Sequence, residues 1–568
     1  MCSRRACFLL IWGAIGNPGV KRAALLSLAL AIANAAFAQE MIVPRTNVAT
    51  IDWARAETDA GGLPSLNAAV QQRFPEIAKS AVPVLLPFDV EAFRKAEQPA
   101  DSEKFVLGDF SPTQFFHAGP AGFDSVFLIQ VSDVPELSEI AYADPVYILF
   151  SGFRFTYALD GPATPEAQPV KDLDAAFPGV RRTWHEFVQR TIFERYGATY
   201  VVAIFCRDIS GRRRILSCPQ AARIADRFVK SLRLAGGTPD SDPTLAASLQ
   251  RPERVDAAFT FNPPGALIPR TGRKPDLDGR ADRTVYANLR FPLRDAPAFA
   301  NSQSFNNWGD CDFTGRSPRR VTAKNAPYAC KVNGRRLVFN EAAGPNYQYP
   351  WRDNFCEHRR FPVGQCPGGE GHQGQDVRPS FCKKFNEGAD RCMAYQQDAV
   401  AAADGMILRP RRQEALLLFI NSRTAHVRLR YLHMRPSLLD ERGMMSGRHV
   451  QQGEVIGQVG NFDEYEHGTT YHLHFDMQVP TAIGYVFVNP YMTLVASYEH
   501  LLDARGTEVA PIDPPPPPAA EESNITVASV VPLPRAREIR PLPRARLAPA
   551  RTMKFRQRDR HGHRLARR

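Results

Sequence analysis

Across residues 471–477 apolar and polar residues alternate without a break: Tyr471, Leu473, Phe475 and Met477 against His472, His474 and Asp476. Successive side chains of a strand point to opposite faces, so the stretch predicts a strand with one apolar face and two imidazoles and a carboxylate on the other. Residues 428–433 alternate as well, which predicts a strand placing His433 with Leu429 and Tyr431 on one face. In His372-Gln373-Gly374-Gln375-Asp376 the outer residues share a face of either a strand or a helix, and the glycines in and before the stretch favour the extended form. Nearer the amino terminus, 82–86, 146–150 and 200–205 are apolar, β-branched or aromatic runs that read as strands. A helix is predicted after Cys218, opened by Pro219, with Ala221, Ile224, Ala225, Phe228 and Leu232 on one stripe and Gly236-Gly237 beyond its end.

These elements predict a multidomain α+β chain: an α/β module over 39–236, a proline-containing linker over 237–281, a β-rich unit over 282–502, and a tail over 503–568. No catalytic constellation is found in the first module. It reads as a wall- or partner-binding domain, an inhibitory cover over a cleft in the second unit, or a stabilising accessory fold.

The candidate chemistry lies in the β-rich unit. Zinc accepts imidazole nitrogen and carboxylate oxygen, and a catalytic site keeps three protein ligands with one position left for water. The set His372, Asp376, His433, His472 and His474 supplies those groups, whereas His117, His185, His358, His426, His449 and His467 have no comparable context. No His-Glu-x-x-His helix competes, because His185-Glu186-Phe187-Val188-Gln189 lacks the second histidine.

In order and spacing these residues resemble the lysostaphin-type (LytM-like) peptidoglycan metallo-endopeptidases over roughly residues 285–500. The likeness runs through His372-x-Gly374-x-Asp376, Val400-Ala401-Ala402-Ala403-Asp404-Gly405, Tyr431-Leu432-His433, Val450 to Gly460, His472-Leu473-His474-Phe475 and Asn489-Pro490. It implies an antiparallel β-rich domain of duplicated hybrid motif type. It also implies one Zn2+ held by His372, Asp376 and His474, with His433 and His472 as catalytic histidines. The sequence departs from the family in about 65 residues inserted before His372, in a second insertion over 378–397, and in the loop 461–470. Loops around a rigid site set substrate choice, so these departures bear on specificity more than on chemistry.

Residues 1–38 read as an export signal: Lys21-Arg22, an apolar run over 23–32, and Ala36-Phe37-Ala38 before Gln39. That run is too short for a spanning helix, which needs about 20 apolar residues. Residues 1–19 read as an overextended start, with Val20 the expected initiator. The protein is therefore expected to be periplasmic, extracellular or associated with the cell envelope, without a transmembrane helix. Eight cysteines remain after the signal, an even number that in an exported protein favours disulfides. Nearest-neighbour pairing (206 with 218, 311 with 330, 356 with 366, 382 with 392) closes short loops.

Charge is concentrated at one end. Residues 532–568 hold 12 Arg and one Lys against Glu538 and Asp559, a surplus of 11 within a formal net charge of +12. The globular part is thus not basic, and nucleic acid is not an expected partner. The tail, with its repeated Pro-Leu-Pro-Arg-Ala-Arg, suits anionic envelope polymers or lipid head groups, or acts as a solvated extension. The reading the sequence favours is an exported zinc endopeptidase that cuts peptide cross-links in peptidoglycan. Its rivals are a non-catalytic scaffold of the same fold that activates a separate wall hydrolase, and a zinc peptidase acting on exported proteins.

Overall fold

The structure is a computed structural model that describes residues 41–60, 74–88, 108–140, 142–159, 166–207, 216–241, 249–267, 280–301, 310–312, 329–332, 335–336, 350–357, 359, 361–386 and 390–509. The expected export signal, the side chains of Cys311 and Cys330, and the chain beyond 509 lie outside the described residues. Among the described residues the molecule is β-rich with few helices, and no helix is long and apolar enough to cross a membrane.

The amino-terminal unit is built on a 7-stranded sheet. Its strands are β1 (Ser111–Gly119), β2 (Gly122–Ile129), β3 (Val146–Phe153), β4 (Gln168–Pro169), β5 (Arg181–His185), β6 (Val188–Arg195) and β7 (Ala198–Phe205). They lie in the order β1-β2-β3-β7-β6-β5-β4, and every pairing is antiparallel. The expected α/β module is therefore an antiparallel sheet with a helix against one face. That helix, α1 (Cys218–Ser231), starts at a capping box in which Ser217 Oγ accepts from the Gln220 N–H and Gln220 Oε1 accepts from the Ser217 N–H. Its stripe of Ala221, Ile224, Ala225 and Phe228 is fully buried against Phe127, Phe150 and Val202 of the sheet.

The carboxy-terminal unit is an 8-stranded sheet. It comprises β8 (Ala298–Ala300), β9 (Gly374–Pro379), β10 (Gly405–Leu408), β11 (Leu416–Asn421), β12 (His426–Leu432), β13 (His449–Val450), β14 (Leu473–Thr481) and β15 (Gly484–Val488). The order is β8-β9-β14-β12-β11-β10-β13, with β15 also on β14. One face carries Leu418, Leu429, Tyr431, Leu473, Phe475 and Met477 into the main core. Helix α2 (Tyr491–Leu502) joins that core, with Tyr498 packed on Phe259, Phe291 and Trp351 at ring separations of 4.7–4.9 Å.

Two boundaries differ from expectation. Part of the 237–281 stretch is a strand, Val255–Phe261, that pairs in parallel with Arg505–Glu508 and buries Phe259 and Phe261 in the carboxy-terminal core. The linker and the first residues of the tail are thus partly built into the second unit, because two aromatic residues there find apolar partners. Disulfides join Cys206 to Cys218, Cys356 to Cys366 and Cys382 to Cys392, and the strand register sets Cys311 opposite Cys330.

The two sheets pack face to face. The face of the first sheet turned away from α1 presents Asp124, Val126, Leu149, Ser151 and Phe153 to the face of the second sheet that carries Met406, Phe419 and Arg428. Asp124, 1% exposed, accepts from Arg428 at 2.7 Å and from Ser151 at 2.6 Å, and lies 3.3 Å from His426 Nε2. Burial alone would raise its carboxyl pKa, but the Arg428 guanidinium and His426 hold it far below the usual carboxylate range.

Candidate metal centre

Alternation along β14 turns His474 and Asp476 away from the core that holds Leu473, Phe475 and Met477. Register then assembles the rest: Asp376 on β9 sits opposite His474 on one side, and Leu432 at the end of β12 sits opposite it on the other. Gly374 makes the first pairing tight, since a Cβ there would lie 2.3 Å from the Phe475 carbonyl oxygen. His372 enters from the loop before β9, tied by its backbone to Cys356 and Glu357.

His433 reaches the site differently from the sequence expectation. Strict alternation would send it into the core with Leu429 and Tyr431, which are both fully buried. The strand ends at Leu432 instead, and His433 adopts φ 71°, a left-handed conformation that turns its imidazole to the polar face. Gly460 allows this turn, because a Cβ there would lie 2.3 Å from the His433 carbonyl oxygen. The ring centre of His433 is 4.5 Å from that of His472 and 6.1 Å from that of His474. All five predicted residues therefore come together.

Hydrogen bonds at the rim fix which ring nitrogens carry protons, because a carbonyl or carboxylate can only accept. His372 donates from Nδ1 to the Asn354 carbonyl at 2.9 Å, and His474 donates from Nε2 to Asp476 Oδ2 at 3.1 Å. This leaves the His372 Nε2 and His474 Nδ1 lone pairs facing each other at 3.0 Å, each 3.3 Å from Asp376 Oδ1. With both rings neutral, the state in which imidazole binds a metal, three buried acceptors converge on one point, and a cation suits that arrangement. A tetrahedral zinc bound at about 2.0–2.1 Å sets its ligand atoms about 3.3 Å apart, so the spacing fits that ion. Among the described residues this is the one group of histidines and acids that meets a metal-binding spacing.

The other two imidazoles stand beside this group. His472 donates from Nδ1 to the Thr470 carbonyl at 2.7 Å, and its fully buried Nε2 lies 3.3 Å from Asp376 Oδ1. Burial pushes its pKa down to about 3 against the pull of Asp376, so the ring is neutral at physiological pH. His433 donates from Nδ1 to the Phe462 carbonyl at 2.8 Å, and Glu414 lies 3.0 Å from the same nitrogen. For Asp376, burial alone would raise the carboxyl, but His372 and His472 beside it hold it well below the ordinary range.

Several supporting residues carried no assigned role in the sequence. Asp476 was visible as the next polar position of the alternating strand; it accepts from Arg430 Nε at 2.6 Å, and Arg430 also donates to Gln373 at 2.7 Å. Asn354, Glu414 and Thr470 gave no signal, since they act through single carbonyl or carboxylate contacts from loops.

The profile of peptidase family M23 matches residues 384–490. This segment is thus similar to the M23 peptidases. It includes His433, His472 and His474, while His372 and Asp376 precede the match and are brought to His474 by strand pairing. Among solved structures, a chain from Ruminococcus gnavus assigned as a glycyl-glycine endopeptidase, lytM, shares 21% identity over 24% of this chain, with a TM-score of 0.16. This chain covers 50% of that one, and at such values the likeness carries no weight of its own. No curated protein matches.

Proposed function

We propose that the protein is an exported zinc metallo-endopeptidase that hydrolyses peptide cross-links in peptidoglycan. The observation that carries this reading is the convergence of three lone pairs from His372, Asp376 and His474 beside two further imidazoles. His372 Nε2, Asp376 Oδ1 and His474 Nδ1 would hold the ion. Zinc, when bound, polarises a scissile carbonyl and lowers the pKa of water.

The chain's own residues supply the rest. His433 and His472 each hold Nδ1–H against a backbone carbonyl, which leaves the Nε2 lone pair to take a proton from the attacking water; once protonated, that nitrogen can donate to the tetrahedral oxyanion or pass the proton to the leaving amine. Asp476 orients His474, and Arg430 in turn orients Asp476. A complete set of ligands and neighbouring histidines favours catalysis over a non-catalytic scaffold.

Peptidoglycan as substrate rests on the M23 match together with the sequence resemblance to LytM-like endopeptidases, and export rests on the apolar segment and small-x-small site before Gln39 together with the disulfides. Digestion of purified peptidoglycan by the mature protein, with products read by mass, tests the proposal. It predicts released fragments with new amino termini at cross-links; intact cross-links after prolonged digestion with zinc present would reject it.

A further inference from the structure

The amino-terminal sheet lies on the same face of the second sheet as the metal set, and the two run in step. On the second sheet the polar face of β12 reads His426, Arg428, Arg430, with Asn421, Phe419 and Leu417 paired beside them on β11. On the first sheet Gly122, Asp124, Val126 and Leu128 of β2 pair with Phe153, Ser151, Leu149 and Tyr147 of β3. Asn421 bonds to Gly122, Arg428 bonds to Asp124 and Ser151, and Phe419 and Leu417 cluster with Val126 and Leu149. Each step of two residues along one sheet is matched by a step along the other, toward the end where Leu432 pairs with His474. The next step on the first sheet is Tyr147, with Phe205 beside it on β7.

At that end the row stops being covered. Tyr147 is 49% exposed and Phe205 57%, whereas Leu149, Ser151 and Phe153 of the same row are covered by the second sheet. Arg207 lies 5.6 Å from the Phe205 ring and 5.0 Å from the Phe187 ring, and a cavity of about 240 Å³ opens among Tyr142, Tyr147, Phe205 and Arg207. The cavity is also lined by Val146 and Leu216 of the core under α1, so it opens at the end of the sheet, beyond the part of the row that the second sheet covers.

We infer that Tyr147, Phe205 and Arg207 form a saccharide subsite, in which the amino-sugar strand of the substrate lies along the amino-terminal sheet while its peptide reaches the metal. This rests on the peptidoglycan reading above. Flat aromatic faces stack on the C–H face of a pyranose ring, and a guanidinium held beside them donates to ring hydroxyl and acetamido oxygens. Continuity with the metal-bearing face selects the sugar strand of the same polymer as the occupant.

The test uses the full mature chain with Tyr147→Ala, Phe205→Ala and Arg207→Ala and two probes: glycan strands stripped of peptides, for binding by calorimetry, and a short soluble cross-linked peptide, for cleavage. Each aromatic replacement is expected to weaken glycan binding roughly tenfold and to leave soluble-peptide cleavage and melting temperature unchanged. Unchanged glycan binding, or no binding by the wild type, overturns the subsite. Equal losses on both probes, with a lowered melting temperature, overturn it in favour of a structural role, and tighter dependence of peptide cleavage on these residues transfers the site to the peptide stem. Wild-type glycan binding without cleavage of any cross-link would reject the hydrolase reading and keep the subsite.

Discussion

Replacing Asp124 by alanine should destabilise the whole molecule, because one buried carboxylate joins two units distant in sequence. In the variant Arg428, 7% exposed at its side chain, loses its 2.7 Å partner and stays buried. Removing one member of a buried ion pair costs about 3–5 kcal/mol. The guanidinium is still stacked 3.3 Å from the centre of the Tyr485 ring and 4.8 Å from Phe419, contacts that offset part of the loss, so the lower end, about 3 kcal/mol, is expected. That is a large share of the roughly 5–15 kcal/mol that holds a typical domain folded. Urea unfolding followed by tryptophan fluorescence measures it, and a cycle of Asp124→Leu, Arg428→Met and Asp124→Leu/Arg428→Met isolates the pair. The double replacement removes both charges and should return to within about 1 kcal/mol of the wild type. Zinc content should be unchanged in all variants, since Arg430 and not Arg428 contacts Asp476. A loss below about 1 kcal/mol for Asp124→Ala, or strict additivity in the double variant, would refute the reasoning.

Three further outcomes are expected. His472→Ala should lower turnover by about 10²–10⁴-fold while zinc stays bound, and His474→Ala should lose the metal; zinc analysis beside cleavage rates separates the two roles. Asp476→Ala should weaken zinc binding by about 10–100-fold, read by competition with a chelating dye, because His474 loses the acceptor that fixes its tautomer. His117 is buried with neither ring nitrogen hydrogen-bonded, and burial lowers its pKa to about 4 against the opposing pull of Asp124 and Glu76. The unfolded chain binds the extra proton first, so stability is full above about pH 6.5 and falls as pH drops toward 4, by up to about 3 kcal/mol. His117→Leu should flatten this dependence in urea melts taken from pH 7.5 to 4.5, and an unchanged slope would remove His117 as its source.

The parts of the site that were legible in the sequence are those set by local alternation. His472, His474 and Asp476 share a face because side chains alternate along a strand, and no long-range information was needed to see it. His433 failed the same rule for a physical reason: a left-handed residue ends β12 one position early and reverses the side of the ring, and alternation cannot show a dihedral. The start of α1 and most of its stripe were legible for the same local reasons as β14, although Leu232, read as its last stripe position, begins a strand instead.

What stayed hidden depends on contacts across the chain. Asp124 and Arg428 are separated by 304 positions, and each alone reads as a surface charge. The placement of the amino-terminal sheet on the metal-bearing face follows from that pair and from apolar clusters whose members come from both units. The same is true of the strand at Val255–Phe261, where prolines nearby suggested a linker but Phe259 and Phe261 fill the second core.

Zinc-edge X-ray absorption on the purified mature protein tests the central claim most directly. One zinc per chain, with two imidazole nitrogens and a carboxylate oxygen at about 2.0–2.2 Å, is the predicted result, and it should disappear in His474→Ala. A fully active protein that holds no zinc, or a metal bound through ligands other than His372, Asp376 and His474, would contradict it.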